Sequence, residues 1–164
     1  MGCVEADTHF SQGLNAFAKR EFRCAAELFE KAAALAPSNP HYYYYLGLTL
    51  RELGSTASAE KYLSHALLLL PDAAAIRYVR GDIRLEYGDF SKAAEDFLCI
   101  TSDESEENRY WKSLSYLGLG LIRIEGGDIE AALTAFSKAE DIARELNDTG
   151  LLSRISSELE KSGF

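Results

Sequence analysis

The residues that could carry chemistry in this chain are few and lie far apart. The histidines His9, His41 and His65 stand in different segments, and no two of them have metal-ligand spacing together with a third donor. No Gly-x-Ser-x-Gly elbow is present, so the sequence does not support a hydrolase triad. Gly118 and Gly120 look like part of a phosphate-binding loop, but a third glycine and a preceding strand are missing, so close helix packing is the preferred interpretation. We therefore predict that the chain is not an enzyme and has neither a metal site nor a cofactor.

The cysteines and the hydropathy pattern indicate a reducing compartment. Cys3, Cys24 and Cys99 are far apart, odd in number and form no CxxC pair, which is typical of free thiols. Residues 1–9 have neither the basic end nor the apolar stretch of a signal peptide. The longest fully apolar run, 66–70, is too short to cross a membrane. The sequence therefore predicts a cytoplasmic protein.

The first residues also resemble an acylation signal, with Gly2 followed by Cys3. The Ser or Thr usual at the sixth position of that signal is replaced by Ala6, and Glu5 and Asp7 would be repelled by anionic lipid. An unmodified N-terminus and no membrane partner is the preferred interpretation, with lipidation of Gly2 and Cys3 as the alternative.

The charge of the chain limits its partners. With 17 Lys and Arg against 26 Asp and Glu, its net charge is −9, and its isoelectric point is near 4.8. Such a surface repels phosphate backbones, so we expect no nucleic-acid partner and a mild preference for a partner of some basic character. Since 47 % of the 164 residues are hydrophobic, the chain can bury the core of one compact domain or of a short solenoid.

A repeat organises most of the sequence. Gly13, Gly47 and Gly81 follow one another in steps of 34 residues, and Gly120 follows after 39. Three more positions keep the same steps: Ala25, Ala59, Ala93 and Ala132; Phe29, Leu63, Phe97 and Phe136; Ala32, Ala66, Ile100 and Ala139. A helical glycine costs about 1 kcal/mol relative to alanine, so its recurrence indicates a close approach of two helices. A period of this length predicts stacked supersecondary units.

The repeat resembles the tetratricopeptide repeat (TPR), which has a Leu-Gly pair in its first helix, a Gly-Asp turn, alanines in its second helix and a closing proline. Residues 43–47, 88–93 and 127–132 carry the resemblance best. It implies an all-α fold, a right-handed α-solenoid of four helix-turn-helix hairpins plus a C-terminal capping helix. The first unit departs from the pattern, since Arg20 and Glu21 replace the Gly-Asp turn.

The steps of the repeat also predict the boundaries of the units. We place the four hairpins, the flanking segments and the acidic insert as follows: tail, 1–5; hairpins, about 6–39, 40–73, 74–107 and 113–146; insert, about 102–108; capping helix, 147–164. The insert is either an acidic loop or, in part, an early start of the first helix of the fourth hairpin.

In the family that the chain resembles, the first helices line a concave groove. Carried over by position, the predicted peptide-binding set is Phe10, Leu14, Phe17, His41, Tyr44, Tyr45, Leu48, Arg51, Tyr78, Asp82, Leu85, Leu117 and Leu121. We expect Tyr44, Tyr45 and Tyr78 to contact a partner, the alternative being that some of them only pack between neighbouring first helices. Within the tyrosine run, Tyr43 is the best candidate for the core, since adjacent helical residues point about 100° apart.

One known type of TPR groove grips the terminal carboxylate of heat-shock chaperones with Lys, Asn and Arg. The matching positions here hold Phe10, Leu14, Tyr45, Ala75 and Val79, none of which can hold a carboxylate. That partner is therefore excluded, and a helix or extended peptide with apolar anchors fits better.

These observations predict a non-enzymatic scaffold or adaptor that binds a peptide or amphipathic helix of a partner protein. The alternative is a structural subunit that self-associates through the same apolar surfaces, as a homo-oligomer or as a secretion or assembly chaperone. Neither interpretation includes nucleic acid or a small-molecule substrate.

Overall fold

The computed structural model describes residues 2–163, with side chains from Val4 onward, and this part of the chain is all helical. Its elements are α1 (Gly2–Ala18), α2 (Phe22–Leu35), α3 (Pro40–Glu52), α4 (Thr56–Leu69), α5 (Ala74–Glu86), α6 (Phe90–Thr101), a 3₁₀ turn (Glu106–Asn108), α7 (Arg109–Glu125), α8 (Ile129–Glu145) and α9 (Thr149–Lys161). No strand occurs among these residues. The predicted all-α class is confirmed.

The helices belong to two compact units, Met1–Ile83 and Arg84–Phe164, so that α5 contributes to both. In the first unit α1 pairs with α2, α2 packs on α3, and α3 pairs with α4. In the second unit α6 packs on α7, α7 pairs with α8, and α9 lies against α8. Each unit is thus built from helical hairpins, with α9 as an extra helix in the second unit.

The turns inside the hairpins share one backbone conformation. Gly54, Gly88 and Gly127 have φ angles of 73°, 76° and 77°, in the left-handed region that suits glycine. Arg20 takes the corresponding place in the first hairpin with a φ of 63°, and Asn147 precedes α9 with a φ of 54°. The first hairpin therefore keeps the geometry of the turn although its sequence departs from the pattern.

Side-chain caps begin several of the helices. Asn39 accepts a hydrogen bond from the backbone N–H two residues on, at 3.0 Å, and Pro40 is the first residue of α3. Asp89 and Asp128 accept bonds from the backbone N–H groups three residues on, at 3.3 and 3.1 Å. Each cap satisfies a backbone donor that the helix leaves without a partner.

The repeated glycines of the first unit make room for large side chains of the second helix in the same hairpin. A Cβ placed on Gly13 would lie 2.6 Å from Cε1 of Phe29, and one on Gly47 would lie 2.7 Å from Cγ of Leu63. Carbon atoms that are not bonded rest about 3.5–4.0 Å apart, so any larger residue would displace these side chains. The predicted close approach of the two helices is present.

Helix α7 carries two such glycines, facing different neighbours. A Cβ on Gly118 would lie 2.5 Å from Cε2 of Phe97 in α6, and one on Gly120 would lie 2.3 Å from Cε1 of Phe136 in α8. Both glycines lie in the middle of a helix and serve its packing. They are not part of a phosphate-binding loop, in agreement with the preferred interpretation of the sequence.

The N-terminus differs from the prediction, since residues 2–5 are not a tail but belong to α1. The reason is that Ala6 is fully buried in a cluster with Ala32, Ala33 and Tyr42, which holds the first turns of the helix in place. The side chains of residues 1–3 lie outside the described part, so the prediction for lipidation of Gly2 and Cys3 stays untested.

The fourth hairpin begins before the predicted boundary at 113, in agreement with the early start that one interpretation of the insert allowed. Helix α7 starts at Arg109 and not at 113, and the end of the acidic insert forms the 3₁₀ turn in front of it. Arg109 forms ion pairs with Glu106 in that turn, at 3.1 Å, and with Glu145 at the end of α8. These pairs position the additional helical turn.

The core residue of the tyrosine run in α3 differs from the prediction. Tyr42, not Tyr43, is the core residue: it is 2 % exposed, and its hydroxyl donates a hydrogen bond of 2.7 Å to Asp7. Its ring lies 5.0 Å from that of Phe10. Tyr43 is half-buried and points to another side of α3.

Candidate functional site

Half-buried aromatic and aliphatic side chains are concentrated on α1 and α3 of the first unit. We call this surface the α1–α3 face, and its residues are Phe10, Leu14, Phe17, Tyr44, Tyr45 and Leu48. On α1 these residues recur three or four positions apart, and on α3 Leu48 lies one helical turn after the adjacent Tyr44 and Tyr45. All six belong to the predicted groove, and Phe10, Leu14, Phe17 and Tyr45 pack against one buried cluster.

Tyr45 lies at the centre of the α1–α3 face. Its ring centroid is 5.4 Å from Phe10, 6.4 Å from Phe17 and 5.3 Å from Tyr44. It is also 5.7 Å from Phe29, which is fully buried. Aromatic pairs at these separations attract each other by about 0.5–1.5 kcal/mol beyond the area they bury. The surface is therefore fixed to the core and loses little conformational freedom when a partner binds.

Tyr44 supplies a polar group beside this apolar surface. Burial, and secondarily the neighbouring Tyr45, raises the pKa of its phenol above the ordinary value. The hydroxyl therefore stays protonated at physiological pH and can donate a hydrogen bond to a carbonyl or carboxylate of a ligand. A tyrosine with one apolar side and one polar end suits a protein interface.

The charged residues of the predicted groove pair with each other. Arg51 of α3 donates a hydrogen bond of 2.8 Å to Asp82 of α5, and the two side chains are 27 % and 18 % exposed. Because opposite charges at this distance largely cancel each other's field, this pair gives the surface little net charge. The α1–α3 face therefore offers mainly apolar contacts.

Two predicted groove residues are not available to a partner. Tyr78 is 6 % exposed and Leu117 is 3 % exposed, so both serve packing, as the alternative interpretation of the tyrosines allowed. Leu85 of α5 and Leu121 of α7 are half-buried in the second unit, whereas His41 is exposed at the start of α3. The part of the predicted set that forms a surface is thus concentrated on α1 and α3.

The structure also contains a concavity that the sequence did not reveal. We call it the α4–α5 pocket; it has a volume of about 640 Å³ and is lined by Tyr43, Lys61, Tyr62, Ser64, His65, Leu67, Leu68, Arg77 and Arg80. Sequence reasoning concentrated on the first helices and so missed these residues, most of which belong to the second helix of a hairpin. The feature of the sequence that could have indicated this pocket was a group of basic residues in an acidic chain.

Residues 2–163 contain neither a metal-binding cluster nor a membrane-spanning helix. No three His, Cys, Asp or Glu side chains in this part of the chain are arranged so that they could hold a metal ion. Within the same part, none of the helices has the length and apolar character needed to cross a membrane.

Comparison with known proteins identifies the family. Tetratricopeptide repeat models match residues 10–67 and 50–99, and a further tetratricopeptide repeat model matches residues 114–146. The chain therefore belongs to the tetratricopeptide repeat family, as the sequence pattern predicts.

Among curated proteins, human tetratricopeptide repeat protein 7B is 29 % identical over 101 residues, and its mouse counterpart gives the same figure. The match covers 62 % of this chain and 12 % of each of those proteins. The chain thus corresponds to a small part of the relatives it matches.

Solved structures share the fold. A crystal structure of MamA is 21 % identical with a TM-score of 0.76, covering 87 % of this chain and 80 % of that one. YrrB, described as a TPR protein with an unusual peptide-binding site, is 23 % identical with a TM-score of 0.74, covering 93 % and 74 %. The TPR domain of Arabidopsis OM64 is 18 % identical with a TM-score of 0.66, covering 75 % and 98 %. The predicted fold of TPR hairpins is confirmed.

Proposed function

We propose that the chain binds a peptide or an amphipathic helix of a partner protein on the α1–α3 face. The observation that carries the proposal is the half-buried aromatic surface around Tyr45, which ring contacts fix to the core. An apolar surface of this kind, when a protein keeps it accessible, usually serves binding. Half-buried Leu14 and Leu48 extend it with aliphatic contact area.

The surface also suggests the chemistry of its ligand. Apolar anchors three or four residues apart on an amphipathic helix match the apolar side chains that α1 and α3 present. The Tyr44 hydroxyl offers one hydrogen bond beside them, and the net charge of −9 favours Lys or Arg in the flanks of the segment. Three anchors worth about 2 kcal/mol each, with weaker contacts, correspond to an affinity on the order of micromolar.

This proposal goes beyond what the relatives establish, because the peptide-binding site named in the description of YrrB is a property of YrrB. What that description supports is the class of ligand, a peptide. We also propose that the protein is cytoplasmic and acts as an adaptor or a chaperone.

The test is affinity purification from the source cells with quantitative mass spectrometry, using wild type and the variant Tyr44→Ser/Leu48→Ser. The control variant is Tyr87→Ser/Leu98→Ser, which changes two exposed side chains of the same types outside the α1–α3 face. We expect the first variant to lose about tenfold or more of the bound partner and the control to retain it. The segment of the partner that binds should contain apolar anchors at helical spacing. Equal capture by both variants, with unchanged circular dichroism, would refute the proposal.

A second copy of this chain is the other occupant to be tested for the α1–α3 face. Multi-angle light scattering of the wild type at high concentration distinguishes a second copy of the chain from a different partner protein. A monomer supports a different partner. A dimer that Tyr44→Ser/Leu48→Ser converts to monomer would replace the proposal with self-association.

A further inference from the structure

We propose that the turn between α1 and α2 is a second binding site, which takes an acidic peptide segment of a partner protein through one apolar anchor side chain. We call this site the α1–α2 corner. It is a concavity of about 400 Å³, and its lining consists of Arg20, Glu21, Phe22, Arg23, Cys24 and Leu53. None of these residues belongs to the α1–α3 face, so the inference does not depend on the proposed function of that face.

An apolar wall of the corner is fixed by contacts with the rest of the first unit. The ring of Phe22 lies 5.5 Å from that of Phe17, at an interplanar angle of 67°. Phe22 is half-buried, and Leu53 is 37 % exposed at the end of α3. The volume of the concavity lies within the range of about 300–1,000 Å³ that is common for ligand sites. The corner therefore has room for a leucine or phenylalanine side chain beside Phe22 and Leu53.

The backbone of the corner is also held in place. The N–H of Arg20 donates a hydrogen bond of 2.9 Å to the carbonyl of Phe17, and the N–H of Glu21 donates one of 2.9 Å to the carbonyl of Ala16. The guanidinium carbon of Arg20 lies 5.8 Å from the ring centroid of Phe22. Because that ring is uncharged, the contact restricts the Arg20 side chain and leaves its positive charge in place. The corner is therefore formed before a ligand arrives, which lowers the entropic cost of binding.

The charge at the corner is the opposite of the charge of the whole chain. Lys19, Arg20 and Arg23 lie within five consecutive positions, and Glu21 is the one acidic residue among positions 19–24, although the net charge of the chain is −9. The three basic side chains are exposed. None of them takes part in an ion pair with the residues whose side chains the structure describes. Positive charge without an acidic partner selects a ligand of negative charge, so the anchor should be flanked by Asp or Glu.

The carboxylates near the corner leave Arg23 accessible to a ligand. Glu27 follows Arg23 by one helical turn, and Glu52 precedes Leu53; both are exposed. Neither forms an ion pair with a basic residue of the corner. Water weakens the attraction between exposed charges that are not in contact. The planar guanidinium of Arg23 is therefore available for two parallel hydrogen bonds with a carboxylate, which favours Asp or Glu over a diffuse negative charge.

Other anionic partners fit less well. A net charge of −9 repels polymers of phosphate and anionic bilayers at long range, so one basic corner does not make a nucleic-acid or membrane surface. The side chains of Phe22 and Leu53 are apolar, and a phosphate group alone would leave them uncovered. A short acidic peptide places its anchor against these two side chains and its carboxylates beside Lys19 and Arg23.

The probe comes from a selection of random dodecapeptides on phage against the whole chain, with subtraction on the variant Lys19→Glu/Arg23→Glu. We expect enriched sequences to have several Asp or Glu residues beside a Leu or Phe. In fluorescence anisotropy, the affinity of the most enriched peptide should fall about tenfold in Arg23→Glu and should weaken with added salt. Arg23 lies in the first turn of α2, where an acidic residue is favourable, so this variant should keep the wild-type melting curve.

Cys24 gives a direct measure of occupancy, because it is exposed and lines the corner. Peptide at about ten times its dissociation constant should slow the alkylation of Cys24 by iodoacetamide about tenfold, since about one site in eleven then remains free. Peptide mapping by mass spectrometry measures this rate at each cysteine. Cys99, exposed on α6, is the internal control, and its alkylation should stay unchanged.

Two control variants locate the binding. Lys31→Glu makes an equal charge change at an exposed position of α2, about 12 Å further along the helix, and Tyr44→Ser/Leu48→Ser alters the α1–α3 face. Unchanged affinity in both controls supports the α1–α2 corner. Enrichment of basic or uncharged peptides or of none, equal affinity of the Arg23→Glu and Lys31→Glu variants, or alkylation of Cys24 that the peptide does not slow would overturn the proposal. Loss of binding in Tyr44→Ser/Leu48→Ser would overturn it as well. Cosedimentation with phosphatidylserine vesicles, abolished by Lys19→Glu/Arg23→Glu, would assign the corner to a membrane surface instead.

Discussion

Replacing Gly120 by alanine is expected to destabilise the protein, although alanine is the better helix former. A Cβ at this position would lie 2.3 Å from Cε1, 2.5 Å from Cδ1 and 2.8 Å from Cζ of Phe136. Carbon atoms in contact normally stay about 3.5–4.0 Å apart, so the ring or the helix would have to move by about 1 Å. Phe136 is 2 % exposed, which means that its ring has no open space into which it could turn.

The expected size of the effect comes from two opposing contributions. Overpacking of a dense core typically costs about 1–3 kcal/mol, and overlap with three ring atoms belongs to the upper part of that range. Alanine recovers about 1 kcal/mol of helix propensity. The net loss in free energy of unfolding is therefore about 1–2 kcal/mol, or about 2–8 °C in melting temperature for a chain of this length.

Urea denaturation followed by fluorescence can measure this loss. Trp111 is the chain's single tryptophan and lies in α7 together with Gly120, so its emission reports on the second unit. Gly126→Ala is the control, since a Cβ there would meet only the carbonyl oxygens of Arg123 and Ile122 at 3.6 Å, which is ordinary contact. It should leave stability unchanged or raise it by up to about 1 kcal/mol. A Gly120→Ala variant as stable as the wild type would show that the repeated glycines are not required for helix packing.

Three further predictions follow from single contacts. Asp96→Ala removes the buried carboxylate that lies 2.9 Å from Arg84. It should lower the free energy of unfolding, measured by urea denaturation, by about 3–5 kcal/mol. A decrease below about 1 kcal/mol would contradict a role for the ion pair. The side-chain hydrogen bond from Lys92, with one from its backbone N–H, holds the pKa of Asp89 below its ordinary range. The ionised carboxylate therefore stabilises the fold at pH values above its unfolded pKa. This stabilisation is lost as the pH falls through the folded pKa. Lys92→Met should raise the pKa of Asp89 in a carboxyl-carbon NMR titration, and equal values in the two proteins would disprove the assignment. Arg20→Gly should raise stability by about 0.5–1.5 kcal/mol. A left-handed φ of 63° costs about 1–2 kcal/mol in a residue with a Cβ, and the lost cation–π contact with Phe22 is worth about 0.5 kcal/mol. A lower melting temperature would count against this reasoning.

The packing of the hairpins could be predicted because it depends on residue size at fixed spacing. The sequence shows a glycine followed, 16 residues later, by a bulky side chain, as in Gly13 with Phe29 and Gly120 with Phe136. In the structure those residues contact each other across their hairpins. A pattern that recurs with the repeat is therefore enough to predict which helices approach closely.

The orientation of individual tyrosines could not be predicted in the same way. Tyr42 is buried and Tyr43 is not, because Asp7 accepts a hydrogen bond from the hydroxyl of Tyr42 across 35 residues of sequence. Tyr78 is buried although it was expected on the groove surface. Neighbouring helical residues of one type point about 100° apart, so contacts distant in sequence decide which of them turns inward.

The α4–α5 pocket was hidden for a related reason. Its wall combines Tyr43 of α3 with residues of α4 and α5, and its volume is the space that their side chains leave between them. The repeat predicts where these helices run but not where a concavity remains. The basic residues were visible in the sequence, whereas their position around one pocket was not.

The measurement that tests the central claim most directly is site-specific photocross-linking from the α1–α3 face. With p-benzoylphenylalanine at the position of Tyr44, irradiation in the source cells should link the chain to one segment of a partner protein that has apolar anchors at helical spacing. The same group at the position of Lys31, exposed on α2, should not form that link. Equal cross-linking from both positions, or none from Tyr44 above the background, would contradict a binding role for the α1–α3 face.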